Sequence, residues 1–570
     1  MKLLLRVGAF AFVGAALAAT VAAEAAPTDT PPGYALASAH PLATRAGAEI
    51  LDAGGNAFDA AVAVSAALSV VEPQASALGG GGFFLLHRQS DGVQVMVDGR
   101  EVAPLAATEG MFLDKKGVPD PKKSRVGPLA AAIPGGPAAW IHIASKYSTR
   151  PLAQLLAPAV RYAREGFPAD RRYVRDLAMV ADRLSPAAAA VFMPGGKVPA
   201  EGTLIRQPEL AVVLEQIGTQ KRAGFYEGAA AEKLVAAVRA AGGIWAIEDL
   251  SRYRIIERKP LTFFFRDHRL VSAPPPSAGG VILAQTLGML ETRNWPPADP
   301  VEAKHVLVEA WRRAYRDRRE LGDPEFVFAP LYRLLSLEYL RPLARDIDPA
   351  RATPSVPATA SREGQHTTHF SILDAQGNRA GVTVTLNEYF GSGFMPAGTG
   401  VLLNNEMDDF TAAPGALNAY GLEGAKANAI VPGKRPLSSM APTFVEGPRG
   451  LLILGTPGGG RIPSMVLLGT LAFLQGGDAA QVVGLRRYHH QYLPDRIEHE
   501  PGALSDSERA ALAARGHVLR EVTDGYGNMQ AVWWDRGGDR LESASDPRGV
   551  GSGLVKRLRP ELPKPDQVGK

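Results

Sequence analysis

Two threonines and two histidines stand in the stretch Gln365-His366-Thr367-Thr368-His369-Phe370-Ser371. A threonine hydroxyl is a weak nucleophile until a base sits beside it. A threonine at a chain's own N-terminus carries that base as its α-amine. A cut between His366 and Thr367 would turn Thr367 into such a residue. The preceding segment suits a cut. Arg351 to Gln365 is rich in Pro, Ala, Ser and Thr and has no apolar period, which predicts an exposed leader. Threonine is also a good strand former, so this stretch alone does not establish a nucleophile.

The elements that would position Thr367 can be read next. Thr367 to Leu373, a turn at Asp374-Ala375-Gln376-Gly377-Asn378 and Arg379 to Asn387 have the composition of a hairpin. With Asp374 facing Asn378, one face carries Thr368, Phe370, Ile372, Ala380, Val382 and Val384, nearly all apolar. The other carries Thr367, His369, Ser371, Thr383, Thr385 and Asn387. A slip of one residue would mix the two sets, and a buried face fixes register. Thr367 then lies opposite Thr385, with Asn387 one step further on the same face.

Upstream, Ala43 to Ala53 has helical spacing and ends at Gly54-Gly55-Asn56, while Ala57 to Val71 is apolar on most faces. Gly79-Gly80-Gly81-Gly82 leads into the strand Phe83-Phe84-Leu85-Leu86. No Gly-Lys-Ser/Thr follows, so the glycines predict close backbone packing rather than a phosphate loop. Val93 to Val97 is a strand that delivers Arg100, by default a solvated charge. Residues 111–350 read as mostly helical, with helices at Ala230 to Ala241 and Ala303 to Leu321 and a shorter one at Pro158 to Glu165, Pro158 in its first turn. A stiff loop, Ser272 to Gly280, precedes another helix. Downstream, Val401-Leu402-Leu403 reads as an apolar strand running into Asn404-Asn405-Glu406-Met407-Asp408-Asp409. A strand at Leu451 to Thr456 leads through Pro457-Gly458-Gly459-Gly460-Arg461 to a helix from about Ser464 to Leu474. A glycine turn at a helix start presents free N–H groups to an anion, as an oxyanion or a phosphate.

Composition removes other classes. There is no cysteine, which excludes disulfides, thiol catalysis and thiolate metal sites, and the eleven histidines lack paired ligand spacing. A net charge of +4 over 570 residues, with both signs interspersed, gives no nucleic-acid footprint. Lys2 and Arg6, the uncharged run Val7 to Ala23 and small residues near Ala25 read as a cleaved export signal over residues 1–25. The apolar run is shorter than the roughly 20 residues that a membrane span needs. The mature protein is therefore expected in the periplasm or outside the cell, without a stable membrane anchor.

In order along the chain stand GGNAFDAAVA, QASALGGGGFF, DGREVAP, TTHFSILDAQGN, TVTLNEYFGSG, LLNNEMDDF, KRPLSSMAPT and GTPGGGR. With these motifs the sequence resembles the γ-glutamyltransferase (glutathione hydrolase) family of N-terminal-nucleophile hydrolases over nearly all of its length after the signal. The resemblance implies an α/β (α+β) four-layer αββα sandwich built by two subunits of one self-cleaved precursor. Here these would be a large subunit of residues 26–366 and a small one of residues 367–570, cut at His366–Thr367 and held together as a heterodimer. It implies Thr367 as nucleophile, Thr385 as the residue orienting its hydroxyl, and Gly458 and Gly459 as the oxyanion pair. Arg100, Ser438 and Ser439 match groups holding the donor's α-carboxylate. Asn387, Glu406 and Asp409 match those around its α-ammonium, and Tyr420 matches the gating aromatic of a lid loop. The expected donor is glutathione, with water, an amino acid or a dipeptide as acceptor, and no metal or organic cofactor is implied. Glu406 and His366 stand where Gln is familiar in some members, and Gly460 and Pro463 also depart from familiar forms. A glutaryl-type acylase or other amidohydrolase on the same fold, and a binding protein that never cleaves, are the competing readings.

Overall fold

The hairpin forms in the expected register. In the computed structural model, which describes residues 30–355, 367–413, 415–416, 418–422 and 424–559, β7 (Thr368–Leu373) pairs antiparallel with β8 (Arg379–Thr385), with Thr368 opposite Val384 and Arg379 opposite Leu373. Asp374 holds the turn. Its carboxylate accepts from the backbone N–H groups of Gln376 and Asn378, each at 2.9 Å. It also accepts from the N–H of Ala57 at 2.9 Å, the first residue of α2 (Ala57–Val71). That places an anion at a helix N-terminus, where the unsatisfied N–H groups and the helix dipole favour it. The turn is thereby fastened to the helical layer.

The hairpin lies at the centre of a seven-stranded sheet in the order β13-β1-β7-β8-β2-β3-β4. The other strands are β1 (Gly33–Ser38), β2 (Gly81–Arg88), β3 (Val93–Gly99), β4 (Ile256–Arg258) and β13 (Ser552–Arg557). A second, six-stranded sheet runs β12-β11-β10-β9-β6-β5. It comprises β5 (Leu261–Phe265), β6 (His268–Ser272), β9 (Thr443–Gly447), β10 (Gly450–Gly455), β11 (Gln530–Asp535) and β12 (Arg540–Ser545). Neighbouring strands within both sheets are antiparallel.

Side-chain alternation sorts the layers. Phe370, Ile372 and Val382 share one core with α1 (Pro41–Asp52), α2 and α3 (Leu152–Glu165). Ala35, Phe83 and Leu85, on the opposite face of the first sheet, join a second core with Leu452, Ile453 and Val532. That core continues into α4 (Gly279–Thr292), α5 (Pro300–Asp317) and α6 (Ile462–Leu474). The order is helix, sheet, sheet, helix, the αββα sandwich.

The inner face of the hairpin is polar yet buried. His369 bonds Thr383 Oγ1 at 2.8 Å and Ser371 Oγ at 3.1 Å, and Ser371 donates across the gap to the Ile453 and Gln530 carbonyls at 3.2 Å. Burial pushes His369 down to about 3, so the imidazole is neutral. The sheets approach closely at Gly455, where a Cβ would lie 2.3 Å from His369 Cε1. The four-glycine run also serves close packing, since a Cβ at Gly80 would fall 2.1 Å from the Thr385 carbonyl oxygen.

Some expectations are corrected. Pro158 does not open a helix but sits inside α3, which begins at Leu152. An interior proline costs about 3 kcal/mol, and burial of Leu155, Leu156, Ala159 and Tyr162 along one face offsets it. Val401 to Leu403 form no strand and make only a bridge from Leu403 to Gly79. The long helix ends at Asp317 rather than Leu321 and continues as a single tight turn, Arg318–Glu320. The signal segment and His366 lie outside the described residues, as does most of the leader.

Gly455→Ala tests the sheet spacing. Overpacking of this kind costs about 1–3 kcal/mol, and thermal unfolding should show a midpoint lower by a few degrees. An unchanged midpoint would mean that the sheets part freely around His369.

Candidate active site

Thr367 immediately precedes β7, where the alternating pattern of the strand turns its side chain toward the space between the sheets, and it is buried. Its Oγ1 donates to Thr385 Oγ1 at 3.4 Å. Thr385 Oγ1 in turn accepts from the N–H of Asn387 at 2.8 Å, which fixes where that hydroxyl points. The strand ends at Thr385, and Asn387 adopts φ 75°, a left-handed conformation that Asn tolerates better than most residues. The amide therefore leaves the strand face predicted for it, but it still borders the same cavity as Thr367.

That cavity is small, about 20 Å³, room for roughly one water molecule. It gathers Thr367, Thr385, Arg100, Asn387, Glu406, Asp409, Tyr420, Ser438, Ser439 and Gly459 from across the chain. Of the described site residues predicted from sequence, Gly458 alone is set apart. It borders a separate cavity of about 30 Å³ with Arg172, Tyr389 and Asn528. Gly458 and Gly459 have φ 137° and 55°, conformations that glycine permits, and they lead through a tight turn into α6.

Arg100 is not a solvated charge. It is almost fully buried at the end of β3, with Nη1 2.6 Å from Glu406 and 3.4 Å from Glu101, Nη2 on Asp409, and Nε reaching the Pro436 carbonyl at 3.5 Å. One guanidinium thus faces three carboxylates. Burial holds Glu101 up at about 7 against the pull of Arg100 and pushes Glu406 well above the usual carboxylate range. Burial and the neighbouring carboxylates thus favour the protonated forms of Glu101 and Glu406.

The polar atoms bordering the cavity that have no hydrogen-bond partner among the described residues sort by type. Ser439 Oγ and Arg318 Nε can donate, while Asn387 Oδ1 and Glu406 Oε1 can accept. Buried polar groups are normally satisfied. Unpartnered donors and acceptors around one space fit a ligand that carries both an anion and a cation. Ser438 Oγ accepts from the N–H of Met440 at 3.0 Å, which leaves its O–H able to donate into the cavity.

Tyr420 closes the space. Its ring lies so close to Gly459 that a Cβ there would fall 2.2 Å from Tyr420 Cδ1, and its hydroxyl donates to the Asn387 carbonyl. Gln491 Nε2 donates to its carbonyl oxygen at 2.9 Å. Beyond Asp409, Leu422 and Leu437 lies a wider cavity of about 440 Å³ that contains neither Thr367 nor Thr385. The nucleophile candidate and the unpartnered groups meet at the small cavity.

Sequence reasoning misses Glu101 and Arg318. Glu101 reads only as the neighbour of Arg100. Arg318 follows a helix whose last turns carry Arg312, Arg313 and Arg316, and nothing in that basic run distinguishes one member.

Comparison with known proteins places the chain in a wider group. The family model described as Gamma-glutamyltranspeptidase matches residues 43–555. The chain is 40% identical over 527 residues to a glutathione hydrolase proenzyme of Escherichia coli (strain K12), covering 90% of each. It is likewise 40% identical over 555 residues to one of Pseudomonas aeruginosa, covering 95% of this chain and 98% of that protein. Among solved structures, a cephalosporin acylase from Bacillus halodurans superposes with a TM-score of 0.82 at 26% identity, covering 92% of this chain and 96% of that one. A Helicobacter pylori γ-glutamyltranspeptidase chain superposes with a TM-score of 0.53 at 38% identity, covering 56% and 92%.

Tyr420→Phe keeps the ring over Gly459 but removes the hydrogen bond to Asn387. Loss of one such bond should raise the open population about threefold to tenfold. Limited proteolysis within residues 411–425 should accelerate by that factor, and an unchanged rate would mean that ring packing alone holds the loop.

Proposed function

The chain belongs to the γ-glutamyltranspeptidase family, and we propose how its residues divide the work of cleaving γ-glutamyl amides. It is a γ-glutamyl hydrolase and transferase of the glutathione hydrolase type. The observation that carries the assignment of residues is the sorting of unpartnered donors and acceptors beside Thr367. A γ-glutamyl group is an α-amino acid zwitterion that presents a side-chain amide. Its head would take this cavity as Tyr420 moves aside to enlarge it, and its amide carbonyl would lie at Thr367.

In this reading the precursor is cut between His366 and Thr367, giving a large fragment of residues 26–366 and a small one of residues 367–570 that stay together. The charged start and apolar run of residues 1–25 support export to the periplasm or secretion. No helix among the described residues is long and apolar enough to cross a membrane.

The Thr367 α-amine takes the proton of its own hydroxyl as Oγ1 attacks the γ-carbonyl. A model α-amine titrates near 7.7–8.0, so a useful neutral fraction exists at physiological pH. Thr385 orients the hydroxyl. The N–H groups of Gly458 and Gly459 receive the developing oxyanion, whose stabilisation by fixed donors is a large term in acyl transfer. The amine leaves with the proton, and a γ-glutamyl-threonyl ester remains. Water releases glutamate, or an amino acid or dipeptide takes the glutamyl group. Asn387, Glu406 and Asp409 hold the α-ammonium, Arg100, Ser438 and Ser439 act at the α-carboxylate, and Tyr420 gates the space. Glutathione is the natural donor in this reading.

The acylase alternative shares the fold and differs in what the cavity must hold. A glutaryl group has no α-ammonium, and the buried Glu101 and Glu406 and the half-buried Asp409 would then face no ligand cation. The purified chain should therefore turn over a γ-glutamyl anilide well above the matching glutaryl anilide; the reverse preference would reject the γ-glutamyl reading. Thr367→Ala should give one uncut, inactive chain on a denaturing gel, and normal fragments from that variant would refute the cleavage site. A wild-type chain that stayed uncut would support the binding-protein reading instead.

Glutamate affinity should also depend on pH. Burial holds Glu101 up at about 7, and an arriving ammonium favours its ionised form. The dissociation constant of glutamate should fall roughly fivefold to tenfold from about pH 6 to about pH 8. Calorimetry that finds it flat would mean that the cluster is already fully ionised.

A further inference from the structure

Glu72 is a buried carboxylate that no step of the mechanism uses. It caps the C-terminal end of the 15-residue helix α2 and is 1% exposed. The helix dipole is negative at that end, so an anion there is costly unless a cation answers it. Among the described residues its ion-pair partner is Arg172, whose Nη1 lies 2.6 Å from Oε1. Arg172 is shared with Asp176, 3.6 Å from its Nε. Glu72 Oε2 has no hydrogen bond among the described residues.

That carboxylate faces the strand that carries the nucleophile candidate. The Thr368 hydroxyl lies against it and favours its charged form. This hydroxyl has no hydrogen bond elsewhere among the described residues. Thr368 is the first residue of β7, so the nitrogen that a cut would turn into the Thr367 α-amine is one residue away. The other charged groups near Glu72 are acids, Asp170 and Asp176. Asp176 also pairs with Arg175, while Asp170 caps the helix Arg171–Ala178. Continuing the pairing of β1 with β7 sets His40 opposite Thr368. Burial pushes its imidazole down to about 4, so it adds no charge. On the other side of the strand, the small cavity brings Arg100, Glu406 and Asp409. Burial holds Glu72 up at about 6 against the pull of Arg172, so it is ionised at neutral pH.

A cut before Thr367 changes the balance of charge. It converts a neutral amide nitrogen into an amine that becomes an ammonium when protonated. We propose that Glu72 is the counter-ion of that ammonium and stabilises it when the amine takes the proton of Thr367 Oγ1. As Oγ1 bonds to the γ-carbonyl carbon, its proton passes to the amine. The ammonium then gives that proton to the leaving amine as the amide C–N bond breaks. An anion behind the base favours the first transfer, as a third group does in other nucleophile–base pairs. Glu72 acts through the base and does not touch the donor, so it is a positioning residue. This rests on the reading of the Thr367 α-amine as the base.

The pH dependence of kcat/KM for a γ-glutamyl anilide reads the base in the free enzyme. The unsubstituted chain should show an acid limb where the amine loses its proton. A profile without that limb, with chemistry limiting, would reject the amine as base and so the parent reading. An anion beside an ammonium makes it harder to deprotonate. Glu72→Gln should therefore move the limb down by about one pH unit, the low end of what a neighbouring opposite charge does. It should also lower kcat/KM on the alkaline plateau roughly three- to tenfold, since a weaker base takes the proton less readily. Glu72→Asp keeps the charge one methylene further back and should move the limb by about half as much. A loss of rate that is equal at every pH, with the limb unmoved, would make Glu72 a structural cap of α2 and overturn the proposal. So would equal displacements in the two variants. Fragments on a denaturing gel show which variants are cut. If Glu72→Gln stays whole, the aspartate variant decides alone, and an unmoved limb there overturns the proposal. An aspartate variant that also stays whole overturns it too, because charge at this position is then not what the site needs.

Discussion

The hairpin that presents Thr367 has no solvent face. One side is packed by α2 and its neighbours and the other by the second sheet. Every polar group on its inner side must therefore find a partner within the protein or share a cavity with a ligand. His369, Thr383 and Ser371 satisfy one another and the carbonyls of the facing sheet. Thr367 and Thr385, at the end where the strands part, pair with each other and border a space. The nucleophile candidate is the point at which an otherwise closed polar network opens.

Charge is arranged with similar economy. One side of the cavity holds more carboxylates than its arginine can balance, and the other holds an arginine without a carboxylate of its own. In water such an arrangement would be screened; in a space of about 20 Å³ it is not. In the proposed reading a zwitterionic ligand would relieve both sides at once, and a ligand with only one charge would relieve one. Selectivity then follows from what the empty site lacks as much as from the contacts that it offers.

Much of this is legible in the sequence, for identifiable reasons. Strict alternation sets the partner of each residue in the hairpin, so the pairing of Thr367 with Thr385 follows from the residue pattern alone. The run Ala57 to Val71 reads as a buried helix because every residue in it is buried. Other parts leave no such trace. Pro158 looks like a helix start because local propensity cannot see the packed face that overrides it. The edge strands Arg540–Ser545 and Ser552–Arg557 mix polar and apolar residues on half-exposed edges and give no clear period. Arg318 reads as one more base on a basic helix, and only its final position, turned in while Arg319 beside it is exposed, separates it from the others.

The strand order has a consequence for the molecule's history. Residues after 366 supply β13 and β7 on both sides of β1, and β8 lies between β7 and β2, so the first sheet alternates between the two stretches of chain. In the second sheet β9, from the later stretch, pairs with β6 from the earlier one. A break before Thr367 would leave two polypeptides threaded through one another, with no surface along which they could part intact. Such a molecule forms once, from a single continuous chain, as a unimolecular event. After melting it would have to reassemble from two separate strands, so that recovery depends on their concentration where the first folding did not. The native state would then be a record of how it was made, kept in place by kinetics as much as by equilibrium.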